Sequence, residues 1–139
     1  MPSSPDPHAV LRHAETVAVV GCSPRGFQTS HTIAQYIQRV GLTMIPINPN
    51  HGEILGETAY PDLVSIPEEV KIDVVDVFRR PEFVADVVRD AAARAQRTGR
   101  SPVIWTQIGV HSEEAQRLAQ EAGLPYVADR CLMVDHAAL

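Results

Sequence analysis

The chain has 139 residues, 45% of them hydrophobic, with 12 Lys and Arg set against 17 Asp and Glu for a formal net charge of -5. That length and a mean hydropathy of -0.07 describe one soluble globular domain with room for a core, and the acidic balance disfavours nonspecific nucleic-acid binding. No apolar run approaches the roughly 20 residues that span a bilayer, and Met1 to Pro7 lacks the basic and apolar regions of a targeting segment, so no membrane partner is expected and the location reads as cytoplasmic.

Residues 1–8 read as a flexible lead and 9–139 as a single domain, with Asp6 placed to cap a short opening helix that has Pro7 in its first turn and runs to about Ala14. Thr16 to Val20 is an apolar, β-branched run suited to a strand buried on both faces of a parallel sheet. It stops in a polar loop where Gly21 and Gly26 permit sharp turns and close approach of a ligand. A helix follows from about Thr29 or Ser30, its apolar positions Ile33, Tyr36, Ile37 and Val40, ended by Gly41. The second strand is Leu42 to Ile47, stopped by Asn48-Pro49-Asn50, and the third is Asp73 to Phe78. Pro81 then opens a helix with Val84, Val87, Val88, Ala91 and Ala95 on its apolar face. Pro102 to Thr106 forms the fourth strand, and its helix is capped by Ser112 and turns Ala115, Leu118, Ala119 and Ala122 inward. Tyr126 to Ala128 is the fifth strand, followed by a polar tail.

The alternation predicts an α/β, Rossmann-like, doubly wound and mainly parallel five-stranded sheet with helices on both faces. Right-handed crossovers bring the β-to-α loops to one edge of it. Those loops are Gly21 to Ser30, Asn48 to Gly52, Phe78 to Pro81, Gln107 to Ser112 and Asp129 to Asp135. The helix start near Ser30 would aim unpaired N–H groups at a phosphate there. NAD fits poorly. Cys22, Ser23 and Pro24 follow Gly21 where the dinucleotide fingerprint needs its second glycine, and Asn48 stands where an acid would hold the ribose. A P-loop is absent too, because Phe27 occupies the lysine position after Gly26.

Four segments carry a family resemblance over about Leu11 to Leu139. They are Val19-Val20-Gly21-Cys22-Ser23-Pro24-Arg25, Pro46-Ile47-Asn48-Pro49 with Ile54-Leu55-Gly56-Glu57, Asp73 to Arg80, and Trp105-Thr106-Gln107-Ile108-Gly109-Val110 with Asp129-Arg130-Cys131. In order and spacing the chain resembles the small single-domain CoA-binding proteins, themselves similar to the N-terminal CoA-binding domain of the succinyl-CoA synthetase α subunit. The resemblance implies CoA or an acyl-CoA as ligand. CoA carries a pyrophosphate and a 3′-phosphate, which call for backbone N–H groups, hydroxyls and guanidinium groups. Gly21, Ser23, Pro24, Arg25 and the helix start at Ser30 suit the pyrophosphate. By family likeness, Asn48 and Pro49 border the adenosine, Phe78, Arg79 and Pro81 line the next loop, and Gln107, Gly109 and Val110 lie along the pantetheine.

Plainer readings stand beside these. Arg79 and Arg80 also suit a solvated helix start, Asn48-Pro49 a simple turn, and Trp105 the core. The six histidines lack metal-ligand spacing and read as scattered polar surface. Cys22 and Cys131, with no paired spacing, read as free thiols. The helix start could activate Cys22, or the thiol could pack under the turn. Cys131 sits with Asp129, Arg130, Asp135 and His136 in what resembles a nucleophile set, but a buried small thiol, with Asp129 paired to Arg130 or to a helix terminus, is the simpler reading. The expectation is a non-catalytic CoA carrier, sensor or regulatory module without a metal. A small enzyme acting on an acyl-CoA or another nucleotide-linked substrate is the alternative.

Overall fold

In the computed structural model, which describes residues 4–139, the Asp6 carboxylate accepts the His8 N–H at 3.1 Å and Pro7 sits in the first turn of helix α1 (Pro7–His13). The expected cap is therefore in place, and Pro7 and His8 of the expected flexible lead are helical, while residues 1–3 lie outside the described residues. Strand β1 (Thr16–Val20) and helix α2 (Thr29–Arg39) follow, then β2 (Thr43–Ile47). A small antiparallel hairpin, β3 (Glu53–Ile54) and β4 (Glu57–Thr58), turns through Leu55 and Gly56, both at positive φ. The rest is β5 (Val74–Val77), α3 (Pro81–Thr98), β6 (Val103–Thr106), α4 (Glu113–Glu121), β7 (Tyr126–Val127) and α5 (Leu132–Ala137).

The main sheet is parallel throughout, in the order β2-β1-β5-β6-β7, with Val19 in register with Pro46 on one side and Asp76 on the other. This is the expected five-stranded Rossmann-like sheet. Alternation along each strand divides the core. Val20, Ile47, Val77 and Ile104 pack with Val84 and Val88 of α3 and Ala115 and Ala119 of α4. On the opposite face Val17, Val19, Val74 and Trp105 pack with Leu11 of α1, Ile33 and Ile37 of α2 and Leu132 of α5. Each fully buried aliphatic side chain of this kind contributes about 1.5 to 3 kcal/mol. Trp105 is wholly buried, and its indole N–H donates to the Arg130 carbonyl at 2.8 Å, so its one polar atom is satisfied in the core.

Three local expectations change, and one buried cation is added to them. The buried stripe of α2 is Ser30, Ile33, Ala34 and Ile37, which leaves Val40 exposed and Tyr36 half-buried. Ala122 is exposed at the end of α4. Arg94 is buried on α3 beside Ala95, which packs half-buried against the core as expected, because the Arg94 guanidinium donates to the carbonyls of Leu63 (3.3 Å), Ile66 (2.5 Å), Pro67 (2.9 Å) and Val70 (2.7 Å). One cation thereby satisfies the carbonyls of the irregular stretch before β5. The expected polar tail is the helix α5. Its start is fixed by Gln107 Oε1, which accepts the Leu132 N–H at 3.1 Å, and its end by His136, which bonds the Tyr36 hydroxyl at 2.8 Å.

Candidate site at the switch point of the sheet

After β1 the chain builds β2 on one side, then returns to lay β5 on the other. The crevice between β1 and β5, beyond their C-terminal ends, is the topological switch point at which open α/β sheets take ligands. Gly21 lies there at φ +83°, and a Cβ on it would stand 2.2 Å from the Phe78 carbonyl oxygen. Its N–H and that of Cys22 both donate to the Ile47 carbonyl, at 3.0 and 3.3 Å. The first loop is thus pressed against the ends of both neighbouring strands, and only glycine fits. Gly26 differs from the expectation: no atom lies within 4 Å of a Cβ there and its φ is not positive.

Side chains hold the rest of this loop. Ser30 Oγ accepts the Ser23 N–H at 2.9 Å, and Ser23 Oγ accepts the Arg25 N–H at 3.1 Å. The Ser23 carbonyl is 2.9 Å from His31 Nδ1, and since a carbonyl can only accept, that nitrogen carries the proton. Asn48 joins the first and second loops: its Nδ2 donates to the Cys22 carbonyl at 2.9 Å and its Oδ1 accepts from Asn50 N at 2.8 Å. These bonds leave Pro24 and Arg25 displayed to solvent. Between the first three loops is an opening of about 280 Å³, with Val20 and Ile47 beneath and Gly21, Asn48, Pro49, Asn50 and Arg79 around it. The Arg79 guanidinium carbon stands 4.7 Å over the centre of the Phe83 ring, a cation–π contact that props the side chain beside the opening. Phe78 is half-buried, Pro81 occupies the first turn of α3, and Arg80 is exposed at its cap.

Across β5 the loop after β6 is held from the far strand. Asp129, itself at φ +60°, accepts the Gly109 N–H at 2.6 Å and donates its own N–H to Thr106 Oγ1 at 2.9 Å. Val110 is half-buried against the core. Gln107 is buried with its carboxamide oxygen committed to α5, so its expected role towards pantetheine amides is reduced to its nitrogen. Ser30 is likewise turned inward. The sequence-derived residues therefore divide: Gly21, Asn48, Pro49 and Arg79 meet around one opening, Ser23, Pro24 and Arg25 continue the first loop beyond that lining, and Ser30 and Gln107 support from within.

The resemblance to a nucleophile set dissolves. Arg130 pairs with Asp135 rather than Asp129, at 2.7 and 2.8 Å in a fork, and this hydrogen-bonded guanidinium holds the Asp135 carboxyl below the usual carboxylate range. His8 Nε2 stands 3.5 Å from the same carboxylate. Cys131 is half-buried, and Cys22 is fully buried with its thiol pushed up to about 11 by desolvation, so the helix start does not activate it. Among the described residues no group of three or more His, Cys, Asp or Glu is placed to hold a metal ion, and no helix is long and apolar enough to cross a membrane. A second cavity, of about 240 Å³, lies beside the start of β7 between Pro5 and the end of α4, away from these loops.

Sequence reasoning missed the structural duty of His31, one of the histidines read as scattered surface; its signal was its position in the first turn of the helix that follows the loop. It also passed over Asp76, whose signal was a carboxylate inside the apolar run Val74 to Val77.

A family model described as a CoA binding domain matches residues 15–137. The chain is 35% identical over 136 residues to the uncharacterized protein YneT of Bacillus subtilis, covering 98% of this chain and 96% of that protein. It is 26% identical over 128 residues to an ADP-forming acetate–CoA ligase of Archaeoglobus fulgidus, covering 88% of this chain and 18% of the ligase. Among solved structures, a hypothetical protein from Pyrococcus horikoshii superposes with a TM-score of 0.87 at 32% identity, covering 100% of this chain and 99% of that one. The chain belongs to the CoA binding domain family.

Proposed function

We propose that this protein binds CoA or an acyl-CoA reversibly at the switch-point crevice and performs no chemistry on it, acting as a carrier, sensor or regulatory module. The observation that carries the reading is the first loop itself: Gly21 pressed to the Phe78 carbonyl, with Arg79 lining the opening beside it and Arg25 exposed four residues further along the same loop. Two guanidinium groups beside exposed backbone suit a pyrophosphate and a further phosphate, the anionic parts of CoA. Asn48 supports CoA over NAD, because its side chain is committed to Cys22 and Asn50 and offers no carboxylate to a ribose diol. The buried, unactivated Cys22 and the internal Arg130–Asp135 pair favour binding over catalysis.

Calorimetric titration of CoA and NAD at matched salt tests the ligand, since phosphate contacts weaken with ionic strength. CoA should bind the more tightly; a folded sample that prefers NAD, or ignores CoA, would overturn the reading. Incubation with an acyl-CoA, followed by thioester absorbance, tests the absence of chemistry. The thioester should persist, and protein-dependent loss that scales with protein concentration would make the protein an enzyme.

A further inference from the structure

Asp76 is fully buried in the central strand β5, and neither of its carboxyl oxygens has a hydrogen-bond partner among the described residues. Its register partners, Val19 and Trp105, both belong to the core under α2 and α5, which puts Asp76 on that face. The buried stripe of α2 covers the same face, and its first member is Ser30. Ser30 Oγ accepts the Ser23 N–H, so its hydroxyl proton is left to donate. A buried donor and a buried acceptor thus share one face, at the end of the sheet that carries the first loop. Leaving a buried carboxyl unmatched costs more than any one hydrogen bond gains, and a single enclosed water between two polar side chains is the ordinary remedy.

We propose that Asp76 is a positioning residue for the first loop, reaching the Ser30 hydroxyl through one enclosed water and so fixing the Ser23 N–H. This deepens the CoA reading, on which its functional consequence rests. The water would accept from Ser30 and bond the carboxyl. Burial raises the Asp76 carboxyl well above the usual carboxylate range, and a neutral carboxyl can both donate and accept. The titratable side chains on the elements packed over this face include Tyr36 of α2, Asp135 and His136 of α5 and the Cys22 and Cys131 thiols, and desolvation is the influence that raises the Asp76 carboxyl.

The test compares Asp76→Val with Asp76→Asn. A purely structural carboxyl would move stability and loop together. A positioning role separates them: Asp76→Val should melt at or above the wild-type temperature, because it exchanges a buried carboxyl and its water for apolar packing. Its Ser23 amide should nevertheless exchange with deuterium about tenfold faster, and its CoA affinity should fall by about tenfold, the worth of one lost hydrogen bond. Asp76→Asn, which can still bond the water, should restore both. Unchanged Ser23 exchange in folded Asp76→Val would overturn the proposal whatever CoA does, whereas wild-type protein that fails to bind CoA would overturn the CoA reading and leave the exchange result to decide the positioning role. A high-resolution crystal structure of the wild type gives a check that needs no variant. Density for a water bonded to both Ser30 and Asp76 is expected, and apolar packing between them would refute the inference.

Discussion

Gly21→Ala isolates the contact that shapes the switch point. The new methyl carbon would lie 2.2 Å from the Phe78 carbonyl oxygen and 3.0 Å from its carbonyl carbon, at or inside the 3.0 Å below which real Cβ contacts essentially never fall. Neither neighbour can swing away as a side chain would, because both are backbone and Phe78 is tied to Val20 by a 2.8 Å N–H to carbonyl bond. A left-handed φ of +83° adds its own penalty for a residue with a Cβ. Strain of about 1 to 2 kcal/mol from φ and about 1 to 3 kcal/mol from overpacking are both expected. Urea denaturation should show a loss in that combined range with an unchanged m-value, and CoA affinity should fall with it as the loop shifts. Gly26→Ala is the internal control: with ordinary φ and open space around the added methyl it should stay within about 0.5 kcal/mol of wild type. Gly21→Ala as stable as Gly26→Ala would refute the close packing of the first loop against β5.

Burial holds the Asp76 carboxyl well above the usual carboxylate range, so from about pH 4 upward the unfolded carboxyl ionises while the folded one stays neutral. Stability contributed by this group is full below the unfolded pKa and should fall as pH rises, by about 1.4 kcal/mol per unit until the folded group ionises. Asp76→Asn should lack that slope in urea midpoints measured across the range, and parallel pH profiles for the two proteins would contradict the buried neutral carboxyl. Arg94→Met strips four carbonyls of their donor and should cost about 3 to 5 kcal/mol by thermal or urea unfolding, with Arg94→Lys recovering only part because an ammonium cannot span four acceptors; a loss near zero would mean that water replaces the guanidinium. A thiol reagent with mass detection should label half-buried Cys131 in the native protein and Cys22 only after unfolding, and early labelling of Cys22 would contradict its burial and raised pKa.

Elements with a strong local pattern were legible in the sequence. β1 ends at Val20 and α2 begins at Thr29 as expected, since a β-branched run, a glycine turn and a helical stripe agree with one another. The Asp6–Pro7 start and the Ser112 cap, whose Oγ accepts the Ala115 N–H at 3.2 Å, were readable for the same reason. The hairpin β3–β4 was not, because two residues per strand are too few for any alternation to register. Helix α5 was hidden because Cys131 is a poor cap and the bonds that fix it come from Gln107 and Tyr36, distant in sequence. The same limit applies to the site. Which loops converge follows from the alternation of strands and helices, but whether Ser30, Gln107 or Asn48 points outward depends on partners that only the folded chain supplies.

Amide chemical-shift mapping of a CoA titration tests the central claim most directly. The largest changes are expected on Gly21 to Ser30, Asn48 to Asn50 and Phe78 to Pro81, with smaller ones at Gly109 and Val110, while Gln116, Gln120 and Leu124 beside the second cavity stay still. Changes centred on that second cavity, or none at saturating CoA, would contradict the claim.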